Sequence, residues 1–134
     1  MRIIYFDIDC LRPDHLGCYG YNRPTSPTID AIAKEGICFD HYYCASSPCV
    51  PSRTCLTSGR FGVRNGVVSN VGPGARFRIT TRDYGGPHDA NQMFPRQLKK
   101  HGYDPVCFSN FADRHYALWF MCGWSEFHTP NLKS

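Results

Sequence analysis

Apolar residues fall in short runs along the first half of the chain, each ended by a glycine, a proline or a polar cluster. Ile3, Ile4, Tyr5, Phe6 and Ile8 are β-branched or aromatic and carry no breaker, which predicts a buried strand over residues 2–9. Side chains alternate along a strand, so Asp7 and Asp9 share one face near its C-terminal end. In open α/β sheets that edge is where ligands sit. Residues 10–27 are rich in Gly, Pro, Tyr and Asn and predict a long ordered loop. Ser26 as cap, Pro27 at the first position, Ile29, Ile32 and Ala33 as an apolar stripe and Gly36 as stop predict a helix. Residues 37–45 predict a second strand, which delivers the chain to Cys49.

The second half is more irregular. Residues 51–58 predict a helix ended by Gly59. Residues 63–87, with Gly66, Gly72, Gly74, Gly85 and Gly86, predict a loop that either lines an active-site rim or runs as a solvated linker. Residues 92–100 predict a helix stopped by Gly102, and residues 106–109 a third strand. The aromatic-rich stretch 114–124 is ambiguous by pattern, with helix the favoured reading. No internal repeat or low-complexity segment interrupts the chain.

Composition narrows the picture. A chain of 134 residues supports one modest domain, and 42% hydrophobic with 14% aromatic residues argues for a folded one. The net charge of +4 is mild and its basic residues are dispersed, so a nucleic-acid partner is not expected. An anionic small substrate needs only a few placed cations. No stretch approaches the length of a membrane span, and no membrane partner is expected. The apolar run from Met1 to Phe6 is too short for a signal peptide, so the eight cysteines are read as reduced thiols of a cytoplasmic protein. Cys38, Cys44, Cys49 and Cys55 lack the close Cys-x-x-Cys pairs of a structural zinc site.

The densest chemistry lies at Cys49-Val50-Pro51-Ser52-Arg53. Pro51 suits the first turn of a helix, where its missing N–H costs nothing. A helix N-terminus favours negative charge, so a thiol, a hydroxyl and a fixed cation gather at an anion-attracting position. Followed by Leu56 and Gly59-Arg60, this segment resembles the type I sulfatase signature, whose cysteine is oxidised to formylglycine. Upstream, Asp9-Cys10-Leu11-Arg12-Pro13-Asp14-His15-Leu16-Gly17-Cys18-Tyr19-Gly20 resembles the first metal-binding segment of that family. Thr25-Ser26-Pro27-Thr28-Ile29-Asp30-Ala31-Ile32-Ala33-Lys34-Glu35-Gly36 resembles its next helix, and Phe39 with Tyr43 the strand after it.

The resemblance implies an α/β fold of the alkaline-phosphatase superfamily, with a mixed sheet sandwiched by helices and incomplete in this chain. Residues 1–134 would be the N-terminal part of a truncated sulfatase catalytic domain, with further metal and sulfate ligands beyond Ser134. The implied reaction is hydrolysis of a sulfate ester on a small molecule or glycan, and the implied partner is a formylglycine-generating maturation enzyme. Cys49, as formylglycine, would be nucleophile and metal ligand. Arg53 would hold the aldehyde hydrate and balance developing negative charge. Asp9 would bind a divalent cation, usually calcium, which needs oxygen ligands. Many relatives carry a second Asp where this chain has Cys10, so either the site has one fewer carboxylate or Asp7 substitutes. Family members also place Gly-Lys and a His after a Gly-Tyr; here Gly102-Tyr103 is followed by no such Lys, and Arg114-His115 is the candidate replacement. His115 suits leaving-group protonation, while His15 reads as a brace of its loop. A phosphodiesterase or phosphonate monoester hydrolase of the same superfamily, or an inactive fragment, are the alternatives.

Overall fold

Residues 1–77 and 93–130 are described by the computed structural model, and the chain forms two units, Met1–Tyr43 and Cys44–Ser134. Part of the loop expected over 63–87 and the start of the helix expected at Gln92 lie outside the described residues.

The first unit is organised around helix α1, Pro27–Glu35, which begins and ends where its proline and glycine predict. Gly36 closes it by donating its N–H to the Ile32 carbonyl at 2.9 Å. Ser26 does not cap the helix with its side chain. Its hydroxyl instead donates to Asp30 at 3.0 Å and accepts the Gly17 N–H at 3.0 Å. Asp30 also takes the Cys18 N–H at 2.8 Å. Two of these bonds pin the 3₁₀ turn Gly17–Tyr19 onto the start of α1, and the third ties Ser26 to Asp30. A Cβ at position 17 would collide with the Asp30 carboxylate, so only glycine fits this approach. The adjoining turn, Pro13–His15, carries Asp14, whose carboxyl is held down to about 2 by hydrogen bonds from Arg12 and then His15. His15 also meets Tyr21, ring centroids 4.9 Å apart, and its carbonyl accepts the Thr25 hydroxyl at 2.8 Å.

Two expected strands of this unit do not form. Residues 2–9 and 37–45 adopt no regular structure, and Phe6 and Ile37 are 79% and 83% exposed. A strand exists through its neighbours, and an apolar run without a ladder stays an open segment whatever its propensity. The stripe on α1 is only partly covered: Ile29 and Ala33 are half-buried and Ile32 is exposed.

The second unit holds the core. Helix α2, Cys49–Ser58, starts two residues earlier than expected and ends at Gly59 in the left-handed region. Its Thr54, Thr57 and Ser58 are buried, yet each hydroxyl donates to the carbonyl four residues back, at 2.6–2.7 Å. Local satisfaction lets a polar helix sit inside the fold. The short helix α3, Gly62–Asn65, folds back beside it. Buried Asn65 fixes this return by donating to the Arg60 carbonyl at 2.9 Å and accepting the Val67 N–H at 2.8 Å. Val50, Val67, Phe111 and Ala117 form the apolar centre, with Cys49, Phe77, Trp119 and Phe120 packed against it.

Helix α4, Phe94–Lys100, is followed by strand β1, Val106–Phe108, helix α5, Phe111–Arg114, and strand β2, Glu126–His128. The strands pair in parallel, Val106 with Glu126, Cys107 with Phe127 and Phe108 with His128. Among the described residues the sheet is this pair alone, consistent with a sheet that is incomplete in this chain. Stretch 114–124 is not one helix. Tyr116 turns into the left-handed region and the Ala117 N–H returns to the Ala112 carbonyl at 2.8 Å, ending α5 before the 3₁₀ turn Leu118–Met121 begins.

Candidate functional site

Cys49 opens α2, and the backbone of this first turn faces the loop that follows α3. Asn70 in that loop accepts the Val50 N–H through Oδ1 at 2.9 Å. Its Nδ2 donates to the Cys49 Sγ at 3.2 Å. One amide side chain thus satisfies a free N–H at the helix start and holds the thiol.

His115 arrives from the far end of α5, 66 residues along the chain, and its Nε2 lies 3.9 Å from the Cys49 Sγ. Phe111, four residues before it and 7% exposed, carries the imidazole on its ring with centroids 4.7 Å apart. Arg53 also flanks that ring, its guanidinium carbon 4.6 Å from the centroid. Arg53 follows Cys49 by four residues, so it projects from the same face of α2 one turn on. A half-buried thiol, a fixed cation and an imidazole are gathered around a single aromatic platform. That arrangement can hold an anion, and it can pass a proton to or from a group at position 49.

The structure therefore brings Cys49, Arg53 and His115 together. Arg114, next to His115, is exposed. Asp7 and Asp9 belong to the first unit and are exposed there, with the Cys10 thiol 3.7 Å from Asp9 Oδ2. No cluster of three metal-ligating side chains forms among the described residues. Two carboxylates are the right donors for a hard cation but fall short of the six to eight oxygens calcium takes, so these residues do not complete such a site. Asn70 and Phe111 had no place in the sequence reading. Phe111 had a signal, its four-residue spacing to His115, whereas Asn70 had none.

All eight cysteines are free thiols. Burial pushes the Cys107 thiol up from 9.0 to about 11.

The sulfatase family model matches residues 2–127. N-acetylgalactosamine-6-sulfatase from Homo sapiens is 39% identical over 89 residues, covering 66% of this chain and 17% of that protein. Arylsulfatase D from Homo sapiens is 34% identical over 102 residues, covering 76% and 17%. N-acetylglucosamine-6-O-sulfatase from Bacteroides thetaiotaomicron is 33% identical over 102 residues, covering 76% and 16%. The chain thus spans less than a fifth of the length of these relatives. No solved structure matches it significantly.

Proposed function

The chain belongs to the sulfatase family, and from that premise we propose that it is the N-terminal part of a catalytic domain that hydrolyses sulfate esters. The observation that carries the reading is Cys49 at the first position of α2, with Arg53 one turn on and His115 Nε2 3.9 Å from its sulfur. Once converted to formylglycine, residue 49 supplies an aldehyde hydrate, one hydroxyl displacing the alcohol from sulfur and the other releasing sulfate as the aldehyde re-forms. Arg53 stays protonated throughout and neutralises charge on the sulfate oxygens. His115 gives a proton to the departing alkoxide. Asp9, with Asp7 as second carboxylate, contributes oxygen donors to a divalent-cation site, calcium by resemblance. Conversion of Cys49 requires a maturation enzyme as partner.

Two of the relatives are named for 6-sulfates of N-acetylhexosamines, which supports a sulfated sugar as the substrate class. A cytoplasmic location, where thiols stay reduced, is part of the same proposal. The test is mass spectrometry of the Cys49 peptide from the native host, together with assays on matched sulfate and phosphate esters. An aldehyde at position 49 and preference for the sulfate are the expected results. An unmodified thiol in host-matured protein overturns the formylglycine route. Preference for the phosphate ester reassigns the chain to a phosphodiesterase or phosphonate hydrolase of the same superfamily.

A further inference from the structure

Asn70 makes two contacts that lock each other. The Val50 N–H can only donate, so the amide atom facing it is the oxygen. The nitrogen is then turned toward Cys49. Val50 is fully buried and belongs to the apolar centre, which makes the anchor rigid. We infer that Asn70 is the positioning residue for the side chain of residue 49, presenting an N–H donor to whatever atom Cβ carries. That atom is sulfur in the encoded thiol. In the proposed formylglycine form it is a hydrate oxygen, which accepts the same bond and is held in one of two orientations. Its partner hydroxyl is left to face the substrate. This second half rests on the proposed function; the first half does not.

Asn70→Asp separates positioning from capping. A carboxylate of the same shape still accepts the Val50 N–H and suits the start of a helix, so the fold is retained. It has no donor for residue 49, and its charge disfavours the thiolate. His115 and Arg53 are untouched. In unconverted protein, iodoacetamide labelling of Cys49, followed by peptide mass spectrometry at fixed pH, is expected to slow about tenfold in N70D while the melting temperature holds. An unchanged rate overturns the inference and leaves Asn70 a helix cap. Asn70→Ser removes the charge effect: a neutral hydroxyl too short to span both partners gives slower labelling if the inference holds, and the parental rate in N70S, even with slowing in N70D, overturns it.

In matured protein, with rates normalised to the fraction converted, N70D is expected to lower kcat about tenfold and leave KM within about twofold. Parental kcat in N70D overturns the inference for the converted form. A converted parent chain without activity on sulfate esters overturns the proposed function instead, and the labelling result stands apart from it.

Discussion

Phe111 supports two polar groups at once, the tilted His115 imidazole on one contact and the Arg53 guanidinium on another. Replacing it with leucine keeps most of the apolar volume and removes the ring from both. The expected outcome of Phe111→Leu is about a tenfold loss of kcat/KM in matured protein, roughly 1.4 kcal/mol, with a smaller change in melting temperature. A steady-state assay beside a thermal melt checks it. Cys107 offers a second residue-scale test. Its thiol, raised to about 11 by burial, stays protonated and unreactive at neutral pH. Exposed Cys10, Cys38 and Cys44 are expected to label first with iodoacetamide, and buried Cys55 and Cys107 last, as read by peptide mapping. Stability linked to Cys107 is complete below its ordinary value of 9.0 and is lost as pH rises toward about 11, because the unfolded thiol ionises first.

Among elements, α2 was the most legible, because its signals are local. Pro51 in the first turn and Gly59 past the last fix a helix without reference to anything else, and the Cys49–Arg53 spacing then places both side chains on one face. α1 followed for the same reason. The segments 2–9 and 37–45 misled because strand propensity describes a pleated surface between neighbours, and Ile4 and Tyr43 are instead 77% and 81% exposed. Stretch 114–124 misled because the left-handed turn at Tyr116 breaks it, at a residue type that carries no such signal. Two substitutions test the elements that hold the site in place. Asn65→Ala leaves the buried Val67 N–H unanswered and removes a donor to the Arg60 carbonyl, an expected loss of about 1–3 kcal/mol in urea unfolding. Gly123 has φ of +93°, and a Cβ there would lie 2.6 Å from Arg96 Cγ and 3.1 Å from the Arg96 nitrogen at the start of α4. Gly123→Ala is expected to cost about 1–3 kcal/mol in the same experiment.

At the scale of the whole molecule, the motif order identified the family, while the gathering of Asn70, Cys49 and His115 was invisible, since it depends on how α3, α5 and the parallel strands pack. The apolar surface is also a whole-chain property. Ile3, Ile4, Phe6, Ile8, Ile37 and Phe39 are all more than half exposed, and apolar surface left in water promotes association. The isolated chain is expected to bind a hydrophobic dye and to sediment faster as its concentration rises. Replacing Ile4 and Phe6 with serine should reduce both effects.

The parallel strand pair bears on heat sensitivity. β1 and β2 close the loop of residues 109–125, which carries Phe111 and His115, and the Ser109 N–H to His128 carbonyl bond at 2.9 Å and the Ser125 N–H to Pro105 carbonyl bond at 2.8 Å extend the closure at either end. This clasp is only three residue pairs long, whereas α2 is buried along most of its length. Short ladders fray before buried helices do. On warming, the imidazole would drift from residue 49 while the helix bearing that residue stays wound, so the proposed ester hydrolysis would fade several degrees before the helical signal falls.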